Sequence, residues 1–275
     1  MKEYTSILSK DGLKIATYSN HLKSEKGLII ITHGMGEHSM RYMEMADFYT
    51  NEGYTVISFD IRGHGLSEGK RGHTPGFEFL MDDIERVYTQ VKKDYPSLPI
   101  FLFGHSMGGN LVLNFLLRKP NSICGAIVTG AYLKLGFEPP KWKIILAKLS
   151  SSIWPTLSQP TELELDALSR NKEVIRKYEN DELVHDRITS AFFINVHFAG
   201  QYVIDHANEI KTPLLVMHGM EDRLTSPKGS QEFASNAGEN VHLKMWDGLY
   251  HELHNEPEKQ EIFNYEMEWM NKLLN

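Results

Sequence analysis

The chain has too little of several features to belong to whole classes of protein. Cysteine is nearly missing: Cys124 is alone among 275 residues, so no internal disulfide can form. It sits in the apolar run 123–128 and reads as a buried small residue, not a reactive thiol. No apolar run is long enough to span a bilayer. The opening Met-Lys-Glu-Tyr-Thr-Ser lacks the apolar core of a signal peptide. Positive charge is in deficit, with 29 Lys and Arg against 36 Asp and Glu and a net charge of −7. Without a basic stripe to neutralise phosphates, a nucleic-acid partner is excluded. There is no block of like charge, no low-complexity segment and no internal repeat. A soluble, cytoplasmic protein is expected, and nothing in the pattern sets its oligomeric state.

What is present is a regular alternation of strand and helix patterns. Residues 4–8 and 13–18, joined at Asp11-Gly12, read as a hairpin. Gly27–Thr32 is a near-continuous β-branched run, as in a strand buried on both faces. A helix at 41–51, a strand at Tyr54–Phe59, a long amphipathic helix at 77–95, a strand at 100–103 and one at Gly125–Thr129 follow. From about 131 to 206 the alternation stops, and Pro139-Pro140, the basic amphipathic stretch 141–149, Trp154-Pro155 and an aromatic helix around 192–202 take its place. After Pro213 it resumes through strands at 214–217 and Val241–Trp246 and helices at 226–236 and 258–274. Such alternation predicts parallel βαβ units with right-handed crossovers. An insertion of this length is too long for a loop and is expected to form its own layer, a lid. The division is thus core at 1–130, helical cap at 131–206 and core again at 207–275.

Gly104-His105-Ser106-Met107-Gly108-Gly109 lies between a predicted strand and a leucine-rich helix. This is a G-x-S-x-G nucleophile elbow in its expected context. Glycines two before and two after the serine remove β-carbons that would collide where the chain reverses, and the helix N-terminus aims free N–H groups at the same place. A serine hydroxyl needs a base, an orienting acid and an oxyanion hole. In this topology the acid and then the histidine follow the serine in the chain. The strand at 214–217 runs into His218-Gly219-Met220-Glu221-Asp222-Arg223, where Asp222 is the first choice of acid and Glu221 and Asp247 are weaker ones. The last strand runs into Asp247-Gly248-Leu249-Tyr250-His251, which makes His251 the candidate base among 13 histidines. The oxyanion donors are expected from the N–H groups of Met107 and of Met35, the latter inside His33-Gly34-Met35-Gly36.

Other patterns carry less. His251-Glu252-Leu253-His254 is one residue short of the H-E-x-x-H zinc spacing, so no metal is expected. Gly63-His64-Gly65-Leu66-Ser67-Glu68 ends in glutamate with no helix opening there, so no dinucleotide and no other cofactor is expected. The stretch 141–149 could rest transiently on a membrane surface, but such helices more often pack their apolar face on the core, and packing is the expectation.

With these residues in place the chain resembles the monoglyceride lipase and lysophospholipase branch of the serine α/β-hydrolases. The resemblance is carried by His33 through Ser39 with Arg41-Tyr42, Asp60 through Gly65 with Ser67-Glu68-Gly69, and the elbow. It extends through Leu168-Ser169-Arg170 with Tyr178 and Asp181, then Gly219 through Asp222, and Tyr250-His251. It implies an α/β-hydrolase fold, an eight-stranded, mostly parallel sheet with a cap inserted after the sixth strand. It also implies that Glu37, Arg41 and His254 hold a glycerol head group, with Tyr178 a further substrate contact. The family usually has a smaller residue where Met35 stands. The expected reaction is hydrolysis of monoacylglycerols or similar single-chain lipid esters through an acyl-enzyme. A lysophospholipase, short-chain esterase or acyltransferase would use the same residues, and a peptidase or a non-catalytic receptor the same scaffold. Ile153, Trp154, Phe192, Phe193 and Phe198 are expected to line the acyl channel.

Overall fold

A computed structural model describes residues 2–21, 26–137 and 139–275; Met1 of the opening segment lies outside them. The order of elements follows the hydrophobic pattern. Strands β1 (Lys2–Leu8) and β2 (Lys14–Asn20) form the antiparallel hairpin, turning at Gly12 with φ +87°. Then come β3 (Gly27–Thr32), helix α1 (Met43–Asn51), β4 (Tyr54–Phe59), α2 (Phe77–Asp94), β5 (Ile100–His105), α3 (Met107–Arg118) and β6 (Gly125–Thr129). The insertion holds α4 (Lys141–Ile153), β7 (Ser158–Pro160), α5 (Lys172–Glu179), β8 (Arg187–Thr189) and α6 (Ser190–Asp205). The core closes with β9 (Leu214–Gly219), α7 (Pro227–Asn236), β10 (Val241–Trp246) and α8 (Lys259–Leu274). The eight-stranded sheet has the order β1-β2-β4-β3-β5-β6-β9-β10, and only β2 runs against its neighbours. This is the α/β-hydrolase architecture that the resemblance implies.

Strand periodicity explains the two cores. Leu28 and Ile30 of β3 face one side of the sheet with Leu102, Val128 and Val216, where α2, α3, α6 and α7 cover them. Ile29 and Ile31 face the other side with Phe103, Ile127 and Leu215, under α1 and α8. Both faces are therefore apolar, which is why these strands read as continuous runs. Each such side chain contributes about 1.5–3 kcal/mol on full burial.

The insertion is not a single layer. α6 is largely apolar and joins the main core through Phe192, Val196, Val203 and Ile204. Its N-terminus is capped by Thr189, whose Oγ1 accepts the Phe192 N–H at 3.3 Å. α4, by contrast, buries no residue. It leans on α6 with Ile144, Ala147 and Ser150 half-buried, and leaves Trp142, Ile145, Leu146 and Leu149 exposed. The expected packing of its apolar face on the core does not occur, because periodicity shows that a helix has such a face but not what covers it. β7 and β8 pair in a separate two-stranded sheet that the sequence reading missed, three residues a strand being too short to show alternation. Among the described residues no helix is long and apolar enough to cross a membrane.

Candidate active site

Ser106 occupies the turn between β5 and α3 with φ 53° and ψ −117°. A non-glycine residue there costs on the order of 1–3 kcal/mol and persists only if its surroundings hold it. Here the Ser106 N–H donates to the Thr129 carbonyl at 2.9 Å, and its own carbonyl accepts the Tyr132 N–H at 2.9 Å and the Asn110 N–H at 3.1 Å. The elbow glycines answer to close approach. A β-carbon on Gly104 would lie 2.5 Å from the Gly108 carbonyl oxygen, and one on Gly108 would lie 2.1 Å from that of Thr32.

Beyond β9, the turn at 219–225 buries Asp222, while Glu221 stays exposed, as does Asp247 after β10. His251 Nδ1 donates to Asp222 Oδ2 at 2.6 Å. The other oxygen, Oδ1, accepts the N–H groups of Leu224 at 2.8 Å and Thr225 at 3.0 Å. Oδ2 also receives the Thr225 hydroxyl at 2.8 Å and His218 Nε2–H at 2.9 Å. His218 in turn is held by Ser230 Oγ at 2.8 Å from its Nδ1. Burial pushes the Asp222 carboxyl up, but the adjacent His251 charge and the hydrogen bonds from His218 and His251 outweigh it and hold the group far below the usual range. Burial likewise opposes a charged His251, yet the Asp222 carboxylate more than offsets it and raises the imidazole above its ordinary value. His218 was missed in the sequence, although its place as the penultimate residue of β9, at the strand's carboxyl end, could have flagged it.

Ser106 and His251 line one cavity of about 400 Å³ together with Met35, Met107, Glu37, Arg41 and Tyr178. Met107 opens α3, so its N–H is one of those no helical carbonyl accepts. The loop carrying Met35 is fixed from several sides. His33 Nδ1 donates to the Gly34 carbonyl at 2.7 Å while its Nε2 accepts the Ile61 N–H at 2.9 Å. Gly36 has φ +77°, and its carbonyl accepts the His185 N–H at 2.8 Å.

The residues matched to a head-group site divide. Glu37 Oε1 accepts the Gly34 N–H and the Tyr42 hydroxyl, each at 2.6 Å, and Oε2 is paired with Arg41. Arg41 lies 4.7 Å over the Tyr178 ring and forks onto Glu252 at 2.7 and 2.8 Å. Glu252 also lines the cavity and went unread in the sequence, where it figured only within a rejected zinc pattern. His254 does not line the cavity. Its ring stacks on Tyr42 at 4.5 Å, neither ring nitrogen has a hydrogen-bond partner, and burial pushes it down to about 4. It is a packed, uncharged ring behind His105, 4.9 Å away, so the position expected to hold a head group is filled by a core contact. His251 and Glu252 are each committed elsewhere, to Asp222 and Arg41, and no metal-holding cluster of His, Cys, Asp or Glu occurs among the described residues.

Of the expected channel residues only Phe193 lines the cavity. Phe192 is fully buried in the core, and Ile153, Trp154 and Phe198 are exposed, Ile153 by 83%. The apolar wall comes instead from Leu135, Phe137, Leu163, Leu168, Ile188 and Leu224. These belong to loops, short strands and the acid turn, which no helical stripe could have announced.

The site and sheet define a class, and comparison with known proteins gives the family. The profile of the serine aminopeptidase S33 family matches residues 23–258. An uncharacterised abhydrolase-domain protein of Dictyostelium discoideum is 33% identical over 96% of this chain, which spans only 28% of that protein's length. The monoacylglycerol lipase of Mycolicibacterium smegmatis is 33% identical, with 89% of this chain and 88% of that one aligned. A crystal structure of the Paleococcus ferrophilus monoacylglycerol lipase superposes with a TM-score of 0.86 at 32% identity, covering 95% of this chain and 99% of that one. The chain belongs to the serine α/β-hydrolases of the S33 group, in the family of the monoglyceride lipases.

Proposed function

We propose that this chain hydrolyses monoacylglycerols, and comparable single-chain lipid esters, through an acyl-enzyme on Ser106. The observation that carries the reading is the 2.6 Å Asp222–His251 bond beside a strained serine on the wall of one largely apolar cavity. His251 Nε2 takes the Ser106 proton as Oγ adds to the ester carbonyl, while Asp222 keeps Nδ1–H in place and stabilises the imidazolium. The N–H groups of Met35 and Met107 receive the oxyanion, each such donor being typically worth about 2.7–4 kcal/mol. His251 then protonates the departing glycerol oxygen. Water attacks the acyl-enzyme with His251 as base again, and the fatty acid leaves. Glu37, Arg41 and Tyr178 bound the end of the cavity that faces the glycerol.

The cap belongs to the same reading. Residues 131–206 close the cavity between the two core stretches, and the part free to open lies before α6. The exposed face of α4, flanked by Lys141, Lys143 and Lys148, supports transient contact with a membrane surface that supplies substrate. The test is hydrolysis of monoacylglycerol, lysophospholipid and p-nitrophenyl acyl esters by the wild type and by Ser106→Ala. Turnover should favour monoacylglycerol over lysophospholipid and vanish in the variant. Retained turnover in Ser106→Ala ends the serine assignment, and preference for lysophospholipid ends the substrate assignment.

A further inference from the structure

Glu252 has no role in the steps above, yet it follows His251 directly and is only 1% exposed. A carboxylate is costly to bury unless it is paired and hydrogen-bonded. Glu252 takes both terminal nitrogens of Arg41, at 2.7 and 2.8 Å, and the Asn255 side-chain amide at 2.7 Å. Its own N–H donates to the Leu168 carbonyl of the cap at 2.8 Å. The Arg41 nitrogen on Glu252 Oε1 is shared with Glu37, whose other oxygen clamps the Gly34 N–H at 2.6 Å, one residue before Met35. The chain of contacts thus runs from the residue after His251, through one guanidinium, to the loop that holds an oxyanion donor. Both Glu37 oxygens and both Arg41 terminal nitrogens are taken up within it.

We propose that Glu252 is a positioning residue that, through Arg41 and Glu37, holds the histidine loop and the oxyanion loop in register. A fork between two rigid groups fixes distance and angle together, which a single ammonium contact cannot do. The inference rests on the Ser106 esterase reading but not on monoacylglycerol as the substrate. It assigns Glu37 and Arg41 a task on every ester, with or without a glycerol head group.

The test compares wild type, Glu252→Gln, Glu252→Asp and Arg41→Lys on monoacylglycerol and on p-nitrophenyl butyrate, which has no glycerol. Glu252→Gln should lower kcat about 10- to 100-fold on both esters, with KM within about twofold, since small misplacements cost that much. Arg41→Lys should do the same, and the double variant should be no worse than either single one. Glu252→Asp should recover part of the loss. His251 is faced by Asp222 and Thr225 from the acid turn, His105 from β5 and His254 from its own loop, with Glu37 and Glu252 adding negative charge. Removing the Glu252 charge should therefore move the acid limb of kcat/KM to lower pH, a change that loosened folding alone would not make. Circular dichroism checks the fold, and Arg41→Lys carries the test if Glu252→Gln does not fold. A rise in KM on monoacylglycerol alone, with normal kcat on the butyrate, would overturn the proposal in favour of a head-group contact. Unchanged kinetics on both esters would overturn it as well. If the wild type turns over only the butyrate, the substrate reading fails while this comparison stands.

Discussion

The two walls of the cavity are built differently. On the core side, Ser106, Asp222 and His251 sit just beyond the carboxyl ends of β5, β9 and β10, the first two strands buried along their whole length. Each loop is tied by backbone hydrogen bonds as well as by its side chains. On the cap side, the wall is assembled from two three-residue strands, irregular segments and single side chains of α5 and α6, while α4 contributes no lining residue. Rigid strand ends hold reacting groups to a fraction of an ångström, whereas a thin cap can vary in length and opening without disturbing them. The triad candidates thus all stand on the core side, and the cap side supplies much of the apolar lining.

The core side is most sensitive at the acid. Asp222→Asn should lower kcat about 10⁴-fold, because an amide no longer fixes the Nδ1–H tautomer. A near-normal rate would detach the acid turn from the reaction. The pH profile sharpens the same point. His251 must be uncharged to accept the serine proton, and Asp222 raises its pKa, so kcat/KM should climb with pH through a single ionisation lying above the ordinary histidine value of about 6.5. In Asp222→Asn that limb should move to lower pH, and an unmoved limb would mean the carboxylate does not act on His251.

Two residues of the insertion, both expected in the channel, should part company in stability. Phe192 is fully buried and Ile153 is 83% exposed. Phe192→Ala should cost about 3–5 kcal/mol in denaturant unfolding, and Ile153→Ala no more than about 0.5 kcal/mol. Equal costs would erase the boundary drawn at α6. Smaller effects are expected on the α4 face. Trp142→Ala with Leu146→Ala should leave hydrolysis of a soluble ester within about twofold and reduce it several-fold on substrate in anionic vesicles; equal loss on both would place the face in the site itself. Hydrogen exchange should be faster over α4 than over β5 and α3, and uniform protection would remove the mobile cap.

Legibility followed the range of the interactions. The elbow could be read because Gly104, Ser106 and Gly108 answer to collisions within a few residues or with the neighbouring strand. Asp222 and His251 could be read because position beyond a strand end is a local property. Arg41 and Glu252 could not be paired, since 211 residues separate them and each charge taken alone is ordinary. His254 was misplaced for the complementary reason: its motif spacing is local, but the Tyr42 and His105 rings that enclose it arrive from elsewhere in the chain. The exposed α4 face and the leucines of the cavity wall were lost in the same way.

The sequence by itself determined the fold class and the strand ends at which the candidate serine, acid and histidine stand, because apolar periodicity and turn chemistry act over a few residues and recur at each strand end. Only the tertiary structure decided which side of α4 meets solvent, which residues wall the cavity, and that a buried fork at Arg41 joins the oxyanion loop to the histidine loop. Those are properties of surfaces brought together from distant parts of the chain, and burial, which sets the energy of every charge involved, exists only once they meet.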